Sequence, residues 1–212
     1  MKGRRRAIAV LTALGACVLA LAGCGGQTAE EPIRTSTIVL AADGSFTQCR
    51  VEGFDREDYQ LEELDGMIRQ EVRDYLGGAS EEGGPVAVEQ VSHLEENRAQ
   101  VMVALHFADS EVYEDYRALV DKQSCELFYG TVGEALSAGY DLAAVLQDVK
   151  KGTAVTPEQL EKIGDSMVVI FEEALQIRCP SKVQYISGNV RITGSGYADG
   201  TEGEGLKYVV IK

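Results

Sequence analysis

A short apolar run near the amino terminus is the feature that most constrains which part of this chain can fold. Four basic residues within the first six positions precede an apolar run over residues 7–22. A helix that crosses a bilayer needs about 20 apolar residues, so this run is too short. A basic start, a short apolar stretch and small residues at its end are typical of a secretory signal peptide. We therefore expect residues 1–23 to be cleaved.

The apolar run ends in the sequence Leu21-Ala22-Gly23-Cys24. This sequence resembles the lipobox of bacterial lipoproteins, in which small residues precede one obligatory cysteine. The resemblance implies that the Cys24 thiol receives a diacylglycerol and that the protein is held at the cell membrane, facing outside the cytoplasm. Cysteine sulfur is nucleophilic enough for this modification, and two acyl chains supply the two signals that stable anchoring requires. The alternative is an uncleaved single-pass anchor.

Residues 24–37 are predicted to be the lipidated cysteine and a flexible tether, because they are small, polar and non-periodic. The extracytoplasmic domain then spans residues 38–212. The full chain has 20 basic and 34 acidic residues, and the loss of four basic residues with the signal peptide changes the formal net charge from -14 to -18. Such an acidic domain lacks the basic surface of nucleic-acid-binding proteins, so we predict no nucleic-acid partner.

The exported part begins with a predicted hairpin and helix. Residues 37–41 are a β-branched strand, residues 45–51 return as the second strand, and Asp43-Gly44 between them favours a type I′ turn. A helix with Asp55 as its N-cap and Gly77-Gly78 after its end is predicted next. Its apolar stripe consists of Leu61, Leu64, Ile68, Val72 and Leu76.

The hairpin-and-helix pattern then occurs a second time. Strands are predicted over residues 86–94 and 99–107, and a helix after Asp109 has Val112, Tyr116, Leu119 and Val120 facing inward. Helix starts follow at Thr131 and Thr156, and strands over residues 167–171, 175–179, 183–186, 190–193 and 208–211. The pattern predicts one α+β domain with a mainly antiparallel sheet of hairpins, amphipathic helices packed on one face, and a possible ββα duplication.

Several turn and cap sequences carry a second resemblance. Val51-Glu52-Gly53-Phe54-Asp55, Tyr129-Gly130-Thr131-Val132 and Val183-Gln184-Tyr185-Ile186-Ser187 are similar to sequences of small uncharacterised lipoproteins of Gram-positive anaerobes. The resemblance covers most of the exported domain. It implies a shared fold and supplies no catalytic residue.

Few residues are candidates for chemistry. His93 and His106 lie in two strands of one predicted hairpin, where they could be neighbours, and a Cys125–His106 nucleophile pair is conceivable. Cys49, Cys125 and Cys179 remain after processing; we expect core thiols, with one disulfide as the alternative. Tyr59, Tyr75, Tyr113 and Tyr116 are predicted to be core residues. We predict no cofactor and no catalytic residue.

The acidic, glycine-rich segment from Tyr197 to Gly205 is predicted to be a flexible hairpin loop. Its Asp199–Gly205 part offers oxygen ligands that could hold Ca²⁺, but it lacks the spacing of an EF-hand, and we predict no metal site.

The sequence therefore predicts a lipid-anchored extracytoplasmic protein that binds an unidentified protein or ligand, or supports the cell envelope, without catalysis. The alternative is an envelope hydrolase or thiol enzyme that uses Cys125 or His106. A solute-binding component of a transporter is disfavoured because the domain has no two-lobed α/β repeat.

Overall fold

The two hairpins predicted before residue 107 lie side by side in one sheet. A computed structural model describes residues 31–80, 82–122 and 124–212. The two central strands, Phe46–Gly53 and Gln100–Phe107, pair antiparallel over their whole length. The predicted signal peptide and Cys24 lie outside the described residues. The four strands are β1 (Thr37–Leu40), β2 (Phe46–Gly53), β3 (Val86–His93) and β4 (Gln100–Phe107).

A helix follows each hairpin, so both predicted ββα units are present. Helix α1 (Leu61–Tyr75) follows β2, and helix α2 (Ser110–Val120) follows β4. Helix α2 follows Asp109 as predicted, and the Asp109 carboxylate caps it by accepting a hydrogen bond from the Val112 amide at 2.8 Å. Helix α1 instead begins six residues after the predicted N-cap, Asp55, and Gln60 at its start makes no side-chain cap.

The first hairpin turn differs from the predicted type I′ turn. That turn needs a positive φ at both central residues. Gly44 has a φ of 94°, but Lys122 is the only non-glycine residue with a positive φ in the described ranges, so Asp43 does not have one. The Ala41 amide donates to the Ser45 carbonyl at 2.9 Å, which closes a longer turn. The Asp43 carboxylate stabilises it by accepting from the Ser45 hydroxyl at 2.7 Å.

The rest of the chain builds a second sheet and extends the first. The remaining elements are β5 (Leu127–Thr131), α3 (Val132–Ser137), α4 (Leu142–Val145), β6 (Leu146–Asp148), α5 (Pro157–Lys162), β7 (Met167–Phe171), β8 (Gln176–Arg178), β9 (Val183–Ser187), β10 (Arg191–Gly194), β11 (Tyr197–Asp199) and β12 (Lys207–Ile211). The first sheet has the order β10-β11-β8-β1-β2-β4-β3, in which β1 and β8 are parallel, and the second has the order β5-β7-β12-β9-β6.

Strands β7 and β12 are buried on both faces, which explains their nearly continuous apolar sequences. Alternate residues such as Val169 and Val209 join the core shared by both sheets, α1 and α2. Their neighbours, such as Ile170 and Val210, pack against α3, α4 and α5 in a second core. The second sheet is therefore a central layer between the first sheet and the three short helices.

The predicted α+β class with mainly antiparallel strands is confirmed. The capping box predicted at Thr131 is present. The helix predicted to start at Thr156 is also present, and a capping box that was not predicted stabilises its start. Strands β6 and β11 were not predicted, and β11 occupies the start of the segment predicted to be a flexible loop. Leu119, which was predicted to face inward, is 63% exposed.

Replacement of Phe107 tests the core that is shared by the two sheets, α1 and α2. The Phe107 ring contacts the rings of Phe46, Tyr113 and Tyr116 at centroid distances of 5.7, 5.0 and 5.5 Å. We expect Phe107→Ala to lower the free energy of unfolding by about 3–5 kcal/mol, because a large buried side chain leaves a cavity. The control Leu136→Ala on α3, where the side chain is 41% exposed, should cost less than about 1 kcal/mol. Urea unfolding measures both, and equal losses would contradict the assignment of this core.

Candidate functional site

A groove of about 440 Å³ lies between α1 and the first sheet. Its floor is apolar and consists of Val101, Val103 and Leu105 on β4. Leu64 and Ile68 of α1 form part of one wall. The other lining residues are Gln48, Arg50, Glu52, Gly53, Phe54, Asp58, Tyr59, Gln60, Glu63, Met67, Glu71 and Tyr116. A volume of several hundred Å³ with mostly apolar walls and a few polar groups is typical of ligand-binding sites.

Two large apolar side chains in the groove are exposed to solvent. Met67 of α1 is 62% exposed, and Tyr59 in the segment before α1 is 42% exposed. The Tyr59 ring lies 5.1 Å from the Phe54 ring, and the Arg56 guanidinium lies 5.1 Å from the Tyr59 ring centre. The prediction that Tyr59 is a core residue is therefore wrong. Met67 lies one position before Ile68 and therefore outside the predicted apolar stripe of α1. An apolar residue outside the stripe was the sequence signal that could have indicated the groove.

A hydrogen bond between the two long helices lies at one end of the groove. The Tyr116 hydroxyl of α2 donates to Glu71 Oε1 of α1 at 2.8 Å. Burial raises the pKa of Tyr116, and the hydrogen bond to Glu71 raises it further. The hydroxyl therefore stays protonated and continues to donate at physiological pH. The Tyr75 ring packs edge-on against Tyr116 at 5.2 Å, which supports the same helix contact.

A buried polar network lies next to the groove floor and holds α2 in place. The Tyr113 hydroxyl accepts from Gln48 Nε2 at 2.7 Å and from Arg117 Nη1 at 2.6 Å. It donates to Glu173 Oε2 at 2.5 Å. Arg117 also pairs with Glu173 at 2.9 Å and with Asp121, so its buried charge is neutralised.

The two histidines lie far apart, although their places in one predicted hairpin would have allowed them to be neighbours. His93 is opposite Val101 and His106 is opposite Ala87 in the β3–β4 pairing, which separates them by five positions, or about 17 Å. His93 shares the core face of the sheet with Val101 and packs edge-on against Phe54 at 5.5 Å. His106 lies on the opposite face, 4.0 Å from Glu89.

The three cysteines of the described ranges are free thiols, in agreement with the predicted core thiols. Cys125 packs against the shared core next to Arg117 and Glu173, whereas His106 lies on the other face of the first sheet. The structure therefore does not bring these two residues together. Burial raises the pKa of Cys49 and Cys125 to about 11 and that of Cys179 to about 12. At neutral pH all three are protonated, which disfavours nucleophilic catalysis by a thiol.

The oxygens of Asp199, a candidate Ca²⁺ ligand, already accept hydrogen bonds from protein groups. Asp199 Oδ1 accepts from the amide and the hydroxyl of Thr201 at 3.0 and 2.6 Å, and Oδ2 accepts from Arg191 at 2.8 Å. Arg191 also contacts Glu202 at 3.4 Å. Within residues 31–80, 82–122 and 124–212, no group of three or more His, Cys, Asp or Glu side chains is placed to hold a metal ion.

No protein-family model matches the chain, and no curated protein or solved structure is detectably similar to it. None of the helices in the described part of the chain has the length and apolar character needed to cross a bilayer. The groove is therefore interpreted from its own residues.

Alkylation rates test whether Cys125 can act as a nucleophile. A rise in pKa from 9.0 to about 11 lowers the thiolate fraction at neutral pH about a hundredfold. We expect iodoacetamide to modify Cys125 in the folded protein about a hundred times more slowly than in the urea-unfolded chain, with a rate that increases up to about pH 11. Peptide mass spectrometry measures this rate at each cysteine. Rapid modification of folded Cys125 at pH 7 would contradict the assignment and favour the thiol-enzyme alternative.

Proposed function

We propose that the chain is a lipid-anchored, non-catalytic binding protein that holds an apolar ligand in the groove between α1 and the first sheet. The groove itself is the observation that carries the proposal. It combines an apolar floor with the exposed side chains of Met67 and Tyr59. Methionine is adaptable in shape and is common on surfaces that accept varied partners.

The polar groups of the groove favour binding over catalysis. Tyr116 and Glu71 are already hydrogen-bonded to each other, and Arg50 pairs with Asp121 at 3.4 Å and Glu52 at 3.8 Å. In the part of the chain that the structure describes, no histidine or cysteine lines the groove. These groups can orient a ligand, but none is an activated nucleophile. The predicted envelope hydrolase or thiol enzyme using Cys125 or His106 would have to operate elsewhere, with residues that lie on different faces of the first sheet.

The lipid anchor follows from the sequence resemblance at Cys24. The chain from Cys24 to Thr37, where β1 begins, reaches at most about 45 Å when fully extended. The net charge of -18 after cleavage would repel the domain from anionic headgroups. Both features favour a domain that stands away from the bilayer and presents its groove to the medium.

Replacement of Cys24 tests the anchor. We expect Cys24→Ala to abolish incorporation of radiolabelled palmitate and to move the protein out of the membrane fraction, because the lipid would lose its attachment atom. The control Cys17→Ala changes a cysteine within the predicted signal peptide and should remain lipidated. Membrane association of the Cys24→Ala protein at the wild-type level would overturn the proposed anchor.

A bulky substitution tests the groove. The chain contains no tryptophan, so Leu64→Trp both fills the groove and adds a fluorescent reporter to its wall. We expect the soluble domain to bind the neutral dye Nile red, with a blue-shifted emission, and Leu64→Trp to weaken this binding at least about tenfold. Leu136→Trp on α3 is the matched control and should bind like the wild type. Thermal unfolding verifies that both variants are folded; equal dye binding by both would contradict the groove assignment.

A further inference from the structure

The charges at the groove are unbalanced. Among the described residues, four acidic side chains line it, whereas Arg50 is the only basic one. Arg50 is already paired with Asp121 and Glu52. The neighbouring Arg56, which does not line the groove, pairs with Asp58 at 3.5 Å and covers the Tyr59 ring. The acidic lining residues are Glu52, Asp58, Glu63 and Glu71.

Glu63 is the acidic residue that is available to a ligand. It lies in the first turn of α1 and forms no ion pair within the described ranges. Met67 lies four residues later on α1, so the two side chains are neighbours on the helix surface. A ligand at this position therefore meets an unpaired negative charge directly beside an exposed apolar side chain.

The groove is elongated along α1. Its lining includes residues of α1 at spacings of three and four, up to Glu71, together with Gln60 at the helix start. A helix rises about 1.5 Å per residue, so this wall is about 16 Å long. An extended peptide rises about 3.3 Å per residue and would cover the wall with about five residues. This length suits a peptide segment better than a single small amine.

We propose that the groove binds an extended basic peptide segment, with apolar side chains against the β4 floor and a lysine or arginine at Glu63. The inference rests on the proposed function and adds the class of ligand. Charge complementarity is the basis of this inference. The apolar floor accepts any apolar group, but the acidic lining residues repel acidic peptides and anionic lipid headgroups. Aromatic rings such as Tyr59 also attract cations, as the position of Arg56 demonstrates.

Capped, fluorescein-labelled pentapeptides test this inference on the soluble domain. The basic apolar probe is Lys-Val-Leu-Val-Lys, whose palindromic sequence makes the result independent of chain direction. The matched probes are Glu-Val-Leu-Val-Glu, which reverses the charge, and Lys-Ser-Thr-Ser-Lys, which removes the apolar side chains. We expect fluorescence anisotropy to give an affinity for the basic apolar peptide that exceeds both others at least about tenfold, and to decrease with added salt.

Two matched triple variants separate the effect of the acidic lining residues of the groove from the effect of the domain's overall negative charge. E52Q/D58N/E63Q should weaken binding of the basic apolar peptide about tenfold and weaken binding of Nile red much less, because the dye is neutral. E158Q/E161Q/D165N removes the same number and type of charges at α5 and after it, outside the groove, and should bind the peptide like the wild type. Leu64→Trp should abolish peptide binding.

Three outcomes would overturn the inference. They are equal binding of the basic and acidic apolar peptides, equal losses in the two triple variants, and full peptide binding by Leu64→Trp. If Nile red binds in the groove while no peptide does, the peptide inference fails and the proposed function stands. If neither dye nor peptide binds, the proposed function fails as well.

Discussion

The position of α2 depends on one buried cation. The Arg117 side chain is 7% exposed, and a buried charge without partners would cost several kcal/mol. Its partners come from separate parts of the chain: Tyr113 and Asp121 from α2 and its end, and Glu173 from the segment after β7. Gln48 of β2 joins through the Tyr113 hydroxyl. The network therefore fixes α2 against both sheets at once, and Tyr116 then positions α1 through Glu71.

The groove is a consequence of where the two helices pack. Helix α1 contacts the edge strand β3, and α2 contacts both β4 and, in the second sheet, β5. Val101, Val103 and Leu105 of β4 form the buried floor of the groove. The Glu71–Tyr116 hydrogen bond joins the helices at one end, while Met67 and Tyr59 remain exposed. The helix contacts thus leave two apolar side chains of the groove open to solvent.

The sequence predicted several features that depend on nearby residues, although the predictions of a type I′ turn at Asp43-Gly44 and of an N-cap at Asp55 were wrong. Thr131 and Glu134 form a capping box within one turn, and Gly77 ends α1 with a φ of 62°. Features that depend on distant pairing were missed. Strand β11 is three residues long and is defined by its pairing with β8 and β10. Tyr59 was assigned to the core because its spacing fits a helix that in fact begins at Leu61. The groove joins segments from residue 48 to residue 116, which no local pattern relates.

Affinity and selectivity have different physical origins in this groove. Burial of apolar groups against Met67 and Tyr59, which are 62% and 42% exposed, is non-directional and would stabilise any apolar ligand in proportion to the area buried. An acidic domain attracts cations over its whole surface, but such attraction is screened within about 10 Å at ordinary ionic strength. Only a ligand that is both apolar and positively charged gains from apolar burial and from charge attraction at one place. Because Glu63 and Met67 are one helical turn apart and both line the groove, that place is the α1 wall of the groove.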